Sequence, residues 1–425
     1  MTVPDVERAI HTVFRMESAR LIAGLTRVVR DVGVAEELAQ DALVTALEHW
    51  PSEGVPDNPG AWLMATAKRR ALDELRRGKR LTRKHEELGH VLEAEARAER
   101  EGTAQKLDEK LDDEVGDDLL RLLFIACHPI LAMEARVALT LRLLGGLTTE
   151  EIARAFLTPE PTVAQRIVRA KRTLAEERVP FELPRGPELS ERLASVLGVI
   201  YLIFNEGYSA TAGDDLMRPS LCEDALRLGR ILAELAPNEP EVHGLVALME
   251  LQASRTAARI GAAGEAILLL DQNRARWDQL LIRRGLAALE RAQALGGTPG
   301  SYTLQAAIAA CHARARTADA TDWSGIAALY ALLVEATQSP IVELNRAVAV
   351  AMAEGPEAGL RIVDQVADAP LLASYHLLPS VRGDLLEKLG RRAEAAEAFE
   401  RAATLTKNAR ERAVLLGRAA ACRGG

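Results

Sequence analysis

Aromatic residues are scarce in this sequence, because Phe, Trp and Tyr together make up only 4% of its 425 residues. Strands are enriched in aromatic and β-branched residues, whereas Ala, Leu, Glu and Arg, which abound here, favour helices. Hydrophobic residues make up 48%, which is enough to build a buried core. The composition predicts an all-α protein, and a typical size of about 150 residues per domain predicts two or three domains.

Cysteine is also sparse, with four residues scattered along the chain and no CxxC spacing. Structural zinc sites use such paired spacings, and disulfide frameworks belong to oxidising compartments. The neighbours Cys127 and His128 lack further ligands, and adjacent helical residues point about 100° apart. We interpret the cysteines as reduced residues packed in the interior. No metal, cofactor or catalytic residue is predicted.

Long apolar runs are missing as well. No segment approaches the roughly 20 residues that a membrane-spanning helix needs. The N-terminus has no apolar stretch of the kind found in signal peptides. The sequence therefore predicts a cytoplasmic protein with no membrane partner.

The formal net charge is -8, which by itself argues against a nucleic-acid partner because phosphate contacts need cations. The charges are unevenly distributed, however. Residues 66–85 contain nine Lys or Arg and two acidic residues, whereas residues 86–118 contain thirteen acidic and four basic residues. A basic segment is thus followed by an acidic linker.

Residues 31–50 show the spacing of an amphipathic helix. The apolar face carries Val34, Leu38, Leu43, Leu47 and Trp50. The polar face, which is either solvated surface or a binding surface, carries Glu37, Asp41, Thr45 and Glu48.

A break at PSEGVPDNPG precedes a second helix, AWLMATAKRRALDELRR. Its predicted buried stripe contains Met64, Ala67, Ala71 and Leu75. Another face carries Trp62, Thr66, Arg69, Asp73 and Arg76. Cations follow phosphates and an aromatic ring can stack on an unpaired base, so this face suits single-stranded nucleic acid. The alternative for Trp62 is that its ring closes the hydrophobic core.

Residues 148–174 are interpreted as two short helices joined by a turn. Thr148 and Glu151 form a capping box for the first helix, and Pro159 suits the start of the second. The predicted inner stripe of the second helix is Val163, Ile167, Ala170 and Leu174. Its outward face is Thr162, Gln165, Arg166, Arg169 and Arg172. Such a helix can enter a major groove, where Arg and Gln read base edges.

In this order, the three elements resemble bacterial RNA polymerase sigma factors of the extracytoplasmic-function group. VAEELAQDALVTALEHW is similar to the helix with which these factors bind the polymerase clamp, and PGAWLMATAKRRALDELRR to their promoter-melting segment. Residues 148–174 are similar to their reader of the upstream promoter element. One departure is Leu157, where many such turns have Gly. The resemblance covers residues 8–178.

The resemblance implies a role for each element and two partners, core RNA polymerase and promoter DNA. Polymerase contacts are implied for Glu37, Gln40, Asp41, Thr45 and Glu48. Promoter contacts during strand separation are implied for Trp62, Thr66, Lys68, Arg69, Arg70, Arg76, Arg77 and Arg80. Contacts with the upstream element are implied for Thr162, Gln165, Arg166, Arg169, Lys171 and Arg172.

The rest of the chain resembles the tetratricopeptide-like C-terminal extension of one subgroup of these factors. In GRRAEAAEAFERA the small and aromatic residues follow the pattern of a second repeat helix: Gly390, Ala395, Phe399 and Ala402. No second carboxylate, nucleophile or Gly-rich phosphate loop accompanies YLIFNEGYSA at a convincing spacing, so we interpret it as a buried helix against the promoter-binding domain. LLDQNRARWD is interpreted as a helix pair with salt bridges.

The predicted organisation has four parts: a region 2-like domain at 1–80, an acidic linker at 81–117, a region 4-like helix-turn-helix domain at 118–180, and an α-solenoid extension at 181–425. The predicted function is that of a non-enzymatic sigma factor whose extension regulates it, through a regulatory protein or internal contacts. One alternative is a helix-turn-helix transcription regulator that senses a ligand or peptide through its repeats. Another is a scaffold or enzyme in which the repeats carry the function.

Overall fold

The computed structural model describes residues 3–79, 117–156, 158–208, 217–261, 267–406 and 409–424. Every regular element in these ranges is a helix, which confirms the predicted all-α fold. The chain forms two compact units, Met1–Ile200 and Tyr201–Gly425. Leu157, Arg80 and nearly all of the predicted acidic linker lie outside the described residues.

The first unit begins with three helices that pack on one another: α1 Val3–Val29, α2 Val32–Glu53 and α3 Pro59–Lys79. Asp31 starts α2, because its Oδ1 accepts hydrogen bonds from the backbone N–H groups of Gly33 (2.7 Å) and Val34 (3.0 Å). A carboxylate in this position satisfies N–H groups that the helix itself leaves unpaired.

The buried stripe of α2 differs from the predicted one. Ala35, Ala39, Ala42 and Ala46 are fully buried, whereas Leu43 is only half-buried. Small side chains bring the neighbouring helix axes close together, so alanine occupies the centre of the contact. Periodicity identified the helix but favoured the larger apolar residues as its core.

The next four helices carry the predicted helix-turn-helix. α4 is described over residues 117–126, and three helices follow it: α5 Met133–Leu143, α6 Thr149–Ala155 and α7 Glu160–Glu176. The capping box of α6 is confirmed, because Thr148 N donates to Glu151 Oε2 (2.8 Å) and Glu151 N donates to Thr148 Oγ1 (3.1 Å). The inner stripe of α7 is confirmed at all four positions: Val163, Ile167, Ala170 and Leu174.

Helix α8, Pro187–Tyr208, begins in the first unit and ends in the second. Its first half is attached to α4, since Arg192 Nη2 donates to the Phe124 carbonyl (3.0 Å) and Ser195 Oγ donates to the Cys127 carbonyl (2.6 Å). YLIFNEGYSA was predicted to pack against the promoter-binding domain. Its described residues belong to the second unit, where Tyr201 makes an edge-to-face contact with Tyr302. Packing of this segment against the promoter-binding domain stays a prediction.

The second unit continues with ten more helices in the described ranges. They are α9 Pro219–Leu235, α10 Pro240–Ala253, α11 Gln279–Ala294, α12 Ser301–Arg314, α13 Trp323–Thr337, α14 Pro340–Glu354, α15 Pro356–Val366, α16 Leu377–Lys388, α17 Arg392–Leu405 and α18 Ala409–Gly424. Helices adjacent in sequence pack together, as in the pairs α14/α15 and α16/α17. This is the expected organisation of stacked helix pairs.

The repeat pattern predicted in GRRAEAAEAFERA is borne out by the packing of α16 and α17. Phe399 is fully buried, and a Cβ added to Gly383 would lie 2.8 Å from its ring. Gly390 has φ 76° in the turn between the two helices, a conformation that favours glycine. A small residue on one helix thus receives the aromatic ring of the other.

LLDQNRARWD departs from its prediction as a salt-bridged helix pair. It forms two 3-10 turns, Leu269–Asp271 and Arg274–Arg276. Arg274 donates to the carbonyl of Ala315 (2.8 Å), to the carbonyl of His312 and to Thr321 Oγ1 (3.0 Å). Neutral oxygen atoms therefore take the place of the predicted carboxylates.

Candidate nucleic-acid interface

Helix α7 presents a polar outer face beside its buried stripe. Gln165, Arg169 and Arg172 are exposed, and Thr162 and Arg166 are partly buried. The periodicity of the sequence predicted this separation of faces. An exposed Gln and several Arg on one helix face match the side chains that read base edges and hold phosphates.

Val168 is a residue of this face that sequence reasoning missed. Its side chain is 63% exposed, although it is apolar and lies one turn after Gln165. An exposed apolar side chain between polar ones can contact a thymine methyl group in the major groove. The sequence could have shown this, because Val168 lies outside the four-residue apolar stripe of α7, and a position outside that stripe is expected to be exposed.

Arg172 is already paired on the helix surface. Its Nε donates to Glu176 Oε1 (2.6 Å), and this hydrogen bond together with the carboxylate charge raises the pKa of Arg172. The pair is exposed and therefore contributes little to stability. A DNA phosphate would compete with Glu176 for the guanidinium.

Lys171, also predicted to bind DNA, contacts α2 instead of extending into solvent. Its Nζ is ion-paired with Glu36, whose side chain is only 5% exposed. Glu36 Oε1 also accepts from Arg142 Nε (2.6 Å) and from Gln40 Nε2 (3.0 Å). We call these four residues, from α2, α5 and α7, the Glu36 cluster.

Neither Glu36 nor Arg142 was singled out in the sequence. Glu36 follows Val32 by four residues and precedes Ala39 by three, which places it on the buried side of α2. An acidic residue at such a position needs a cation, because an unpaired buried charge is costly. The sequence alone does not show which of the many basic residues supplies it.

Trp62 on α3 is half-buried and makes an edge-to-face contact with Trp50 of α2, with ring centroids 5.3 Å apart. This contact supports the alternative in which the ring closes the core.

Of the other predicted promoter contacts on α3, Arg69 is exposed, and Thr66, Lys68 and Arg70 are partly buried. The side chains of Arg76 and Arg77 and all of Arg80 lie outside the described residues.

Arg70, which was predicted to contact the promoter, is bonded to two residues that were predicted to contact the polymerase. Its Nη1 lies 2.8 Å from Asp41 Oδ2, and its Nη2 donates to Thr45 Oγ1 (2.8 Å). Elsewhere on the polar face of α2, Glu37 and Glu48 are exposed, and Val44 is 50% exposed. The polar face of α2 therefore includes an accessible apolar residue, as interfaces commonly do.

The described residues contain no group of three or more His, Cys, Asp or Glu side chains that could hold a metal ion. Among the helices described, none is both long and apolar enough to cross a membrane. Burial raises the pKa of the Cys127 thiol to about 12, so this cysteine is not a reactive thiolate near neutral pH.

Comparison with known families matches three segments of the chain. Residues 13–81 match sigma-70 region 2, and residues 121–174 match sigma-70 region 4. Residues 192–293 match a family of unknown function, DUF6596. The two sigma-70 regions fall on the helices that carry the surfaces described above.

Two relatives extend this comparison. An uncharacterized protein of Rhizobium meliloti is 42% identical over 395 residues, which cover 93% of this chain and 91% of that protein. The probable ECF RNA polymerase sigma factor SigI of Mycobacterium tuberculosis is 26% identical over 170 residues, which cover 40% of this chain and 56% of SigI.

Proposed function

The chain belongs to the sigma factors of the extracytoplasmic-function type that carry a C-terminal extension, and we propose that it directs core RNA polymerase to specific promoters. In this proposal α2 binds the polymerase, α3 contacts the promoter during strand separation, and α7 reads the upstream element. The extension regulates these activities, through a partner protein or through internal contacts.

The observation that carries this proposal is the division of α7 into two faces. Val163 and Ile167 are buried in the first unit, while Gln165, Arg169 and Arg172 face solvent. The buried stripe fixes the orientation of the helix, so the polar side chains project together. A rigid helix with a polar and cationic face is the form in which helix-turn-helix proteins read DNA.

The proposed polymerase contact is tested by Asp41→Arg. Reversing the charge of an exposed carboxylate at a packed interface commonly costs several kcal/mol, so we expect the variant to lose core polymerase in a pull-down. The fold should persist, because the pair of Asp41 and Arg70 is exposed on both sides. Asp57→Arg is the matched control, since it makes the same charge change at an exposed position outside α2.

A folded Asp41→Arg variant that co-purifies with polymerase as well as Asp57→Arg does would overturn the assignment of α2. If the unaltered chain binds promoter duplex tightly but never retains polymerase, the alternative of a helix-turn-helix regulator gains support.

The proposed reading of the upstream element is tested by two substitutions on α7. Arg166→Ala should weaken binding to the cognate promoter by about 1–3 kcal/mol if the side chain contacts a base. Arg172→Ala should weaken cognate and scrambled duplexes alike, because a phosphate contact carries no sequence information. Fluorescence anisotropy at fixed salt measures both. Equal losses on the two duplexes for Arg166→Ala would reject its base-reading role.

A further inference from the structure

Three arginine side chains surround two aromatic rings in the second unit. The guanidinium carbon of Arg259 lies 3.7 Å from the ring centroid of Tyr208, and that of Arg274 lies 4.8 Å from the ring centroid of Trp277. Arg255 lies between them, 5.9 Å from the Tyr208 ring and 5.8 Å from the Trp277 ring. We call these five residues the arginine cluster.

The arginine cluster differs from the other partly buried arginines of this unit. Each of the others has a carboxylate partner: Arg218 with Glu206, Arg227 with Asp224, Arg230 with Glu250, Arg346 with Glu343, Arg382 with Asp364, and Arg418 with Asp384 and Glu387. Within the described ranges, no carboxylate pairs with Arg255, Arg259 or Arg274. Three positive charges thus lie together without a counter-charge from these residues.

Polar atoms around the cluster also lack partners. Tyr208, Trp277 and His312 are 8%, 3% and 7% exposed. The Tyr208 hydroxyl, the Trp277 Nε1 and the His312 Nδ1 make no hydrogen bond within the described residues, nor does Arg255 Nε. Buried donors of this kind are usually satisfied, because leaving one unpaired costs about 1–3 kcal/mol.

The pKa shifts of the surrounding groups also indicate uncompensated positive charge at the arginine cluster. Burial and the neighbouring Arg255 charge lower the pKa of both Arg259 and Arg274. Burial, with the charges of Arg255 and Arg274, lowers the pKa of His312 to about 4. His312 is therefore neutral near pH 7. Like charges held close together favour the binding of an anion that neutralises them.

We propose that the arginine cluster is a binding site for the phosphate group of a small molecule. Guanidinium groups bind phosphate oxygens through paired, charge-assisted hydrogen bonds, and the unpartnered Tyr208 and Trp277 donors supply further ones. The aromatic faces already carry guanidinium groups, so the site selects the oxyanion and not a stacked base. This site lies in the segment matched by the family of unknown function, and it does not depend on promoter binding.

The test uses the full chain with inorganic phosphate and pyrophosphate as probes, at constant ionic strength. Calorimetric titration should show saturable binding to the unaltered chain. Arg255→Gln should weaken it by about tenfold or more, because one charge-assisted contact is lost. The Arg255 Nε makes no hydrogen bond within the described residues, and losing the Arg255 charge relieves its repulsion of Arg259 and Arg274, which offsets the lost contacts with the two rings. Without phosphate the variant should therefore be about as thermally stable as the unaltered chain.

Two control variants complete the test. Arg382→Gln removes a partly buried arginine that has a carboxylate partner, and Arg361→Gln removes an exposed arginine elsewhere in the second unit. Both should bind phosphate as the unaltered chain does. The proposal is overturned if the unaltered chain shows no saturable binding, or if Arg255→Gln binds equally well. A third outcome also overturns it: without phosphate Arg255→Gln is less thermally stable than the unaltered chain, and phosphate stabilises neither protein. A carboxylate of the chain would then already neutralise the arginine cluster.

Discussion

Replacing Phe399 by Ala should lower the local free energy of unfolding of α16 and α17 by about 3–5 kcal/mol, because the ring is fully buried and its removal leaves a cavity. The ring packs against Gly383 on one side, and the Arg418 guanidinium carbon lies 4.3 Å from its centroid. Hydrogen exchange in denaturant, followed in these two helices, measures the loss. Phe399→Leu, which keeps most of the volume, should lose less.

The contact with Gly383 allows a double-mutant cycle. Gly383→Ala alone should destabilise by about 1–3 kcal/mol, because the new methyl group would lie 2.8 Å from the Phe399 ring. In the Phe399→Ala background the same methyl group has room, so the added cost should be small. Gly417→Ala in α18 is the control, since nothing lies within 4 Å of an added Cβ there. Strictly additive losses would contradict the packing described.

The same variants address the proposed regulatory role of the extension. Phe399 lies far in sequence from α2, α3 and α7, yet we expect Phe399→Ala to lower promoter-driven transcription if the extension is required for activity. Among Phe399→Ala, Phe399→Leu and Gly383→Ala, the variant that loses more stability should also lose more transcription. Transcription that stays unchanged while α16 and α17 unfold would make this part of the extension dispensable.

Replacing Glu36 by Gln should destabilise the first unit by about 2–3 kcal/mol, because Lys171 and Arg142 lose their shared carboxylate. This is less than for a fully buried pair, since both cations remain about one-fifth exposed. Lys171 should also react faster with an acylating reagent, which peptide mass spectrometry measures.

Glu37→Gln is the matched control for this substitution. It makes the same chemical change one residue along α2, but at an exposed side chain. Stability and the reactivity of Lys171 should both stay near those of the unaltered chain. If Glu36→Gln behaves like Glu37→Gln in both measurements, the ion pair with Lys171 does not hold α7 in place.

Much of the fold could be predicted from the sequence where local patterns act alone. The capping box of Thr148 and Glu151 and the stripe from Val163 to Leu174 each depend only on residues within about three helical turns. Ala395, Phe399 and Ala402 of α17 and the preceding Gly390 were found because repeat helices pack in one recurring way. These features require no knowledge of distant contacts.

The sequence was less informative where a contact joins distant residues. The family resemblance implied a DNA contact for Lys171, and spacing cannot show that Glu36, 135 positions away in sequence, lies against it. LLDQNRARWD was expected to form salt bridges, but Arg274 instead bonds oxygen atoms of residues 312–321. In both cases the charged residue predicted that a partner exists, but only the tertiary structure shows which residue it is.

The Glu36 cluster has a consequence for how promoter binding depends on salt. A protein cation that meets a DNA phosphate releases a condensed counterion, and each such contact steepens the fall of affinity with salt by about one unit of slope. Lys171 is paired with the Glu36 carboxylate, which it shares with Arg142, before DNA arrives. If Lys171 makes the proposed DNA contact, its ammonium exchanges this carboxylate for a phosphate. Arg172 is likewise paired with Glu176, so the net charge brought to the duplex is lower by two than the number of cations on α7. Salt titration would therefore count fewer phosphate contacts for this helix than its sequence contains basic residues.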